Sequence, residues 1–166
     1  MQTTRKIAIA TGTRADWGLL SPVGRALAAR TDCEVVILAT NMHLIPEYGD
    51  TISEIRADGF ADVVRVAMPV DTDTSLDTVS AMAGCMQGMA RELTRLHPDL
   101  IVILGDRFEM LATATAALMT GVPIVHIAGG EISEGAVDDS IRHAITKMAS
   151  LHLTATEPYR RRVIAM

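Results

Sequence analysis

The sequence has few cysteines and few aromatic residues. Its 166 residues include two cysteines, Cys33 and Cys85, and aromatic residues make up 3% of the chain. Two cysteines cannot supply the disulfide framework of a small secreted protein, so we expect reduced thiols and a cytoplasmic location, although the count still allows one bridge. Because rings are scarce, the interior must be filled by Ala, Val, Ile, Leu and the ten Met.

Long apolar runs and dense basic clusters are also missing. No window is long enough for a transmembrane helix, and the N-terminal run "KIAIATG" leads into a polar turn instead of a signal-peptide cleavage site. The net charge is −5, the pI is near 5.5, and basic residues are dense only at 160–162. We therefore expect neither nucleic acid nor an acidic membrane as a partner.

Short apolar runs separated by helical segments predict the fold. Most are continuously apolar, which is typical of strands covered on both faces. The runs are Ile7–Thr11, Glu34–Ala39, Val63–Val66, Leu100–Leu104, Val122–Ile127 and Leu151–Ala155. They predict one α/β domain over residues 1–166, with a doubly wound, mostly parallel sheet and helices on both sides.

The longest predicted helix covers residues 76–96 and ends before Pro98. Its apolar residues recur every three or four positions and form one stripe. The stripe consists of Leu76, Val79, Ala83, Met86, Ala90 and Leu93. We expect it to pack on the sheet, while a helix–helix seam in a homo-oligomer is the alternative.

Polar loops follow four of the predicted strands. In an open parallel sheet, ligands bind beyond the carboxyl ends of the strands, so these loops are the candidate site. They are "GTRADWG" at 12–18, "TNMHLIPE" at 40–47, "GDRFE" at 105–109 and "AGGEISEGAVDD" at 128–139.

The loop after the first strand favours an anion without matching a known nucleotide motif. It lacks the three-glycine dinucleotide pattern and the Lys-Ser/Thr of a phosphate-binding P-loop. Gly12 could permit close backbone approach, and Arg14 could hold phosphate oxygens at the start of the following helix. An ordinary turn with an exposed arginine explains the same residues.

The loop after the fourth strand contains adjacent groups of opposite charge. Gly105 allows a sharp turn, and Asp106 either caps the next helix, its commoner role, or points into the crevice as a base. Arg107 either binds phosphate or pairs with Glu109.

The loop after the fifth strand combines two glycines with four acids. Gly129 and Gly130 remove Cβ atoms where a ligand or another backbone approaches. The acids are Glu131, Glu134, Asp138 and Asp139. Carboxylates clustered on an enclosed rim could exchange protons near neutral pH. The alternative is a set of solvated acids, with Asp138 or Asp139 beginning a helix and pairing with Arg142 or His143.

Metal-dependent chemistry is not predicted. The five histidines are scattered, and none forms a close pair with another histidine or a cysteine of the kind that zinc sites use. We expect no metal and no cofactor.

Together, "GTRADWG", "LGDRFE", "HIAGGEISEGAVDDSIRHAITK" and "LHLTATEPYRRRVI" closely resemble the N-terminal half of the hydrolysing UDP-N-acetylglucosamine 2-epimerases of sialic-acid and related nonulosonic-acid biosynthesis. The resemblance covers essentially the whole chain. It implies a Rossmann-like half of a glycosyltransferase-B-type fold. It also implies an enzyme that eliminates UDP to give a 2-acetamidoglucal and then adds water to give free N-acetylmannosamine.

The resemblance assigns residues as well. Asp106 and Asp138 match catalytic acids, and Arg14 matches a residue that contacts the nucleotide phosphates, as Arg107 could too. The sequence departs at Ala128, where well-known members place a catalytic Glu. Either Glu131 takes over that proton transfer or the substrate differs, for example a UDP- or GDP-linked N,N'-diacetylbacillosamine.

The resemblance further implies a C-terminal nucleotide-binding domain, which this chain does not contain, so we expect little turnover from these residues alone. Two other functions stay open. One is a non-catalytic nucleotide- or sugar-binding module that dimerises through the 76–96 helix, and the other is half of a glycosyltransferase.

Overall fold

The computed structural model describes residues 4–49, 51–69, 74–133 and 137–166. Strands and helices alternate along these residues. The strands are β1 (Arg5–Thr11), β2 (Cys33–Ala39), β3 (Val63–Arg65), β4 (Leu100–Leu104), β5 (Ile124–Ile127) and β6 (Leu151–Leu153). The helices are α1 (Arg14–Ala28), α2 (Thr51–Ala57), α3 (Ser75–Leu96), α4 (Phe108–Thr120), α5 (Val137–Met148) and α6 (Glu157–Ala165), and 3₁₀ turns lie at Asn41–Leu44 and Pro46–Tyr48.

The strands form one parallel sheet with the order β3-β2-β1-β4-β5-β6. This order reverses direction between β1 and β4, which is where ligands bind in doubly wound folds. The predicted α/β class and all six predicted strands are confirmed. The prediction for β4 matches residue for residue, while the others differ by one to two residues at their ends, where hydrogen bonding frays.

Helices cover the sheet on both faces because the strands are apolar on both sides. On one face, α1 and α2 bury Trp17, Leu20 and Ile55 against the sheet. On the other face, α3, α4 and α5 form a second core that contains Met89, Met110 and other aliphatic side chains. The carboxyl ends of the strands therefore remain uncovered by helices and present their loops.

Helix α3 begins one residue before its predicted start, and its predicted buried stripe is wrong except at Leu93, which is buried, and Ala90, which is partly buried. The residues buried in α3 are Ala81, Cys85, Met89 and Leu93. Of the predicted stripe, Leu76 is 73% exposed, Val79 is 61% exposed and Met86 is 37% exposed. The buried face combines the small Ala81 and Cys85 with Met89 and Leu93 and packs closely against α4, whereas Leu76 and Val79 lie on the solvent face.

The ends of α3 follow local rules. Thr74 and Asp77 form a reciprocal capping box at its start. His97 adopts a left-handed conformation at its end, and Pro98 follows, as predicted. Both cysteines are free thiols. In the described part of the chain, no helix is long and apolar enough to cross a membrane.

Candidate active site

Two arginines line a pocket at the N-terminus of α1. Thr13 caps this helix by accepting a hydrogen bond from the Asp16 amide, and Arg14 is its first residue. The pocket has a volume of about 270 Å³ and is lined by Thr13, Arg14, Ala15, Met42, Tyr48, Thr51 and Arg107. It combines two cationic side chains with a helix N-terminus, so it suits an anion.

Arg14 is held loosely in this pocket. Its side chain is 74% exposed, and its Nε donates to Glu54 Oε2 of α2 at 2.9 Å. An ion pair this exposed contributes about 0–1 kcal/mol. Arg14 can therefore exchange Glu54 for a ligand oxygen at little cost.

Arg107 is held more firmly. Its Nε donates to Glu109 Oε1 at 2.8 Å, and the Glu109 side chain has no exposed surface. Burial alone would lower the pKa of Arg107, but the carboxylates of Glu109, Asp16 and Asp138 raise it. The predicted alternative of an Arg107–Glu109 pair is thus present, and the guanidinium still lines the pocket.

Asp106 pairs with an arginine from the neighbouring βα unit. Its Oδ2 accepts a hydrogen bond from Arg142 Nη2, which also donates to Ser133 Oγ at 3.1 Å. Asp106 does not cap α4, because the N-cap is Arg107 and no side chain caps that end. Of the two alternatives for Asp106, capping of α4 is therefore wrong. The Asp106 side chain is 19% exposed, so it is enclosed but not sealed.

The acids at the start of α5 divide into two groups. Asp138 is exposed and interacts electrostatically with Arg107. Asp139 accepts from the Ser133 amide at 3.2 Å and lies 3.5 Å from His143 Nε2, which is one of the predicted helical pairs. Asp139 therefore fixes the loop, whereas the charge of Asp138 interacts with that of Arg107.

Glu131 is half-buried in the same loop. It has no hydrogen-bond or ion-pair partner among residues 4–49, 51–69, 74–133 and 137–166. It lies two residues from Ser133, which contacts the arginine of the Asp106 pair. Glu134 is outside the described residues.

The two glycines make room for protein atoms. A Cβ on Gly130 would lie 2.6 Å from the Tyr159 carbonyl oxygen of α6, and one on Gly129 would lie 3.0 Å from His126 Nδ1. Gly130 also accepts a hydrogen bond from Arg162 at its carbonyl. Two reasons for the glycine pair were predicted from the sequence, approach of a ligand and approach of another part of the protein. The second is observed. Their substrate-binding role stays a prediction.

Ala128, just before these glycines, adopts a left-handed backbone conformation with φ of 64°. L residues other than Asn and Asp rarely take this conformation, which glycine adopts freely. The turn sends the chain from the end of β5 back towards α6. The methyl side chain of Ala128 offers no proton donor or acceptor to the crevice.

Asn41 was not assigned to this site from the sequence, and Glu109 and Arg142 were named only in alternative ion pairs with Arg107 and Asp138. Arg142 was expected to pair with Asp138 along its own helix. Its position beside Ile141, on the buried face of α5, was the signal that it reaches another element. Glu109 lies in a similarly apolar segment, where a lone charge implies a buried partner.

No group of three or more His, Cys, Asp or Glu side chains in the described chain is arranged to hold a metal ion. The rim presents carboxylates, which can transfer protons, beside arginines, which can bind an anion.

The fold is a Rossmann-like domain of the glycosyltransferase-B type, and its rim presents carboxylates and a pocket lined by two arginines. A crystal structure of the UDP-GlcNAc 2-epimerase from Neisseria meningitidis bound to UDP-GlcNAc superposes with a TM-score of 0.84. It is 15% identical, and the match covers 96% of this chain and 43% of that one.

A sequence profile of the UDP-N-acetylglucosamine 2-epimerase family matches residues 25–166, and the chain belongs to this family. It is 41% identical over 164 residues to the hydrolysing UDP-N,N'-diacetylbacillosamine 2-epimerase of Legionella pneumophila. It is 38% identical over 162 residues to the hydrolysing GDP/UDP-N,N'-diacetylbacillosamine 2-epimerase of Campylobacter jejuni. These matches cover 98% of this chain but 43% and 42% of the two relatives, so the chain spans about two-fifths of their length.

Proposed function

We propose that this chain is the N-terminal domain of a hydrolysing sugar-nucleotide 2-epimerase. The complete enzyme converts UDP-N-acetylglucosamine, or a related diacetamido sugar nucleotide, to a free N-acetylmannosamine-type sugar and a nucleoside diphosphate. Family membership and the names of the two relatives support this function. Because the chain spans about two-fifths of those relatives, a second, nucleotide-binding domain completes the site in this proposal.

The reaction sets clear chemical demands. In the first step, a base removes the C2 proton, a C1–C2 double bond forms, and the C1–O bond to the diphosphate breaks. In the second step, water adds across that double bond. Its oxygen bonds to C1, and a proton adds to C2 on the face opposite to the one from which the first proton was removed. The site must therefore supply a base, cations for the departing diphosphate, and an acid/base pair.

Asp106 is the proposed C2 base. The observation that carries this role is its pairing with buried Arg142 through Oδ2 alone. Oδ1 has no hydrogen-bond partner among the residues that the structure describes. The arginine holds the carboxylate in one orientation at the rim, and the second oxygen stays available to a substrate.

Arg14 and Arg107 are the proposed diphosphate ligands, because both line the pocket at the α1 N-terminus. Their charges compensate the negative charge that develops on the leaving diphosphate. Glu131 and Asp138 are the proposed groups for proton transfer during elimination and hydration. Glu131 is unpaired within the described chain, and Asp138 is exposed and interacts electrostatically with Arg107. Gly129 and Gly130 shape the loop that carries Glu131.

Among the candidate sugars, we rank the N,N'-diacetylbacillosamine nucleotide first. Both relatives described above are named for that sugar. Ala128 also leaves a methyl group where well-known members carry a catalytic Glu. Relative kcat/KM values for this nucleotide and for UDP-N-acetylglucosamine, with the free sugar identified, decide between them.

The function is tested by Asp106→Asn in the complete protein encoded by the gene. Asparagine keeps the shape but cannot accept the C2 proton, so we expect kcat to fall by about 100-fold or more with the fold retained. Release of free sugar and nucleoside diphosphate is the assay.

Asp62→Asn is the matched control, since Asp62 is exposed before β3 and lies on the opposite edge of the sheet. Near-normal turnover by Asp106→Asn would remove Asp106 from the mechanism. A new glycosidic bond in place of free sugar would favour the glycosyltransferase alternative.

We also propose that the protein is a homo-oligomer that associates through α3. Leu76, Val79 and Met86 form an exposed apolar stripe along that helix, which we call the α3 stripe. Burying such a stripe against a second copy removes apolar surface from water. The absence of nucleic-acid and membrane partners and the cytoplasmic location stay predictions from sequence.

A further inference from the structure

Glu109 is a charged residue placed where charge is costly. Its side chain has no exposed surface, yet Oε1 accepts hydrogen bonds from Asn41 Nδ2 and Arg107 Nε, both at 2.8 Å. Oε2 has no partner among the described residues. A buried carboxylate with one unsatisfied oxygen lowers stability, so its retention calls for a function beyond packing.

Two rim loops are shaped around this carboxylate. A Cβ on Gly12, at the end of β1, would lie 2.4 Å from Glu109 Oε1, so only glycine leaves space for it. Asn41, after β2, adopts a left-handed conformation with φ of 50° and is buried. One of the two sequence interpretations of Gly12 was close approach of a ligand to the backbone, but the space beside Gly12 holds Glu109.

The Glu109 bond leaves the rest of the Arg107 guanidinium available. Glu109 takes Nε, while Nη1 and Nη2 make no hydrogen bond to the described residues. The Arg107 side chain is 39% exposed and lines the pocket that Arg14 also lines. A guanidinium is planar, so fixing Nε from behind sets the direction of both terminal nitrogens.

We propose that Glu109 and Asn41 are positioning residues that hold Arg107 ready to bind the diphosphate with its two terminal nitrogens. Pre-organising the arginine lowers the entropy lost when the ligand binds. The identity of the anion rests on the proposed function, whereas the arrangement of the three side chains does not. Glu109 itself lies behind Arg107 and does not touch the ligand.

The main test is a double-mutant cycle in the complete protein with Arg107→Ala and Glu109→Gln. Glutamine keeps the shape and an acceptor oxygen but weakens the bond to Arg107. We expect Glu109→Gln to raise KM about tenfold, the effect of weakening one charge-assisted hydrogen bond, with a smaller change in kcat.

In the Arg107→Ala background, Glu109→Gln should cause no further loss of kcat/KM, because the residue through which it acts is gone. A purely structural glutamate would give the same loss in both backgrounds. Additive losses, or an unchanged KM in Glu109→Gln, overturn the proposal.

A second variant covers the case in which Glu109→Gln does not fold. Asn41→Ala removes the neutral partner and retains the charge, and it should also raise KM while leaving the cooperative thermal unfolding transition in place. Glu92→Gln is the matched control, because Glu92 pairs with Arg95 on the surface of α3. A KM for Asn41→Ala equal to that of Glu92→Gln contradicts the positioning role.

The test separates this inference from the proposed function. If the unsubstituted protein hydrolyses no sugar nucleotide, the function fails, and the same variants are titrated with UDP by calorimetry. Weaker UDP binding by Arg107→Ala and by Glu109→Gln, with no further weakening in the double variant, still supports positioning. Equal affinities in all variants, or no UDP binding by the unsubstituted protein, overturn it.

Discussion

His43 and His126 are buried histidines that join separate segments by hydrogen bonds. His43 lies 3.0 Å from Thr11 Oγ1 and 2.8 Å from Thr51 Oγ1, so it connects β1 to α2. His126 Nε2 donates to the Gly105 carbonyl oxygen at 2.8 Å, and so supports the turn that precedes Asp106. Burial lowers the pKa of each to about 4. Both are therefore neutral at pH 7.

These histidines predict an acid-sensitive fold. The unfolded chain protonates each imidazole below about pH 6.5, whereas the folded chain does so only near pH 4. Between those values the unfolded state binds more protons, so the free energy of unfolding falls as pH decreases. The loss is on the order of 3 kcal/mol for each histidine by pH 4. Urea unfolding at pH 7, 6, 5 and 4.5 measures it.

His126→Gln should reduce this pH dependence by about the contribution of one histidine. His97→Asn is the control, since His97 is exposed at the end of α3 and should leave the pH dependence as it was. If the free energy of unfolding falls equally between pH 6.5 and 4.5 in the unsubstituted protein and in His126→Gln, the prediction is contradicted.

At the scale of elements, α1 shows how one helix serves both the core and the rim. Its first turn packs Trp17 edge-on against Phe60, with ring centroids 5.4 Å apart, and Trp17 Nε1 donates to Asp58 Oδ2 at 2.8 Å. These contacts anchor the helix on the sheet. Its first turn, with Thr13 and Arg14, consequently reaches the pocket in a fixed position.

Two glycines within α1 should respond in opposite ways to alanine. A Cβ on Gly18 meets no atom within 4 Å, so Gly18→Ala should raise the free energy of unfolding by about 0.5–1 kcal/mol through helix propensity. A Cβ on Gly24 would lie 2.9 Å from Phe60 Cζ. Gly24→Ala should therefore lower stability by about 1–3 kcal/mol through overpacking.

Urea unfolding of both variants measures the difference, and each serves as the other's control within one helix. Equal effects of the two substitutions would show that Phe60 moves aside without cost.

Element types and strand positions were predictable from the sequence, but the orientation of α3 was not. Continuous apolar runs identify buried strands because both faces must avoid water. In α3, the spacing of the large apolar residues is helical, yet the buried face is lined by Ala81, Cys85 and Met89. Ala81 and Cys85 allow this face to approach α4 closely, and the sequence pattern of one helix does not identify the element against which it packs.

At the scale of the whole molecule, the α3 stripe predicts association. Val79→Lys places a charge within the apolar contact, so we expect the dissociation constant of the oligomer to rise at least about tenfold. Sedimentation velocity over a concentration series measures this change.

Leu19→Lys is the control, because Leu19 is 69% exposed on α1, on the opposite face of the sheet. An unsubstituted protein that stays monomeric at micromolar concentration, or an unchanged dissociation constant for Val79→Lys, would contradict oligomerisation through α3.

The amino-acid sequence by itself determined the α/β class, the six strands and the loops that lie on the functional rim. These follow from hydrophobic pattern and from turn residues, which act over a few positions. Only the tertiary structure decided that Asp106 pairs with Arg142, that Glu109 sits over Gly12, and that Arg14 and Arg107 share one pocket. Those partners are distant in sequence and meet because parallel strands bring their carboxyl ends to the same edge of the sheet.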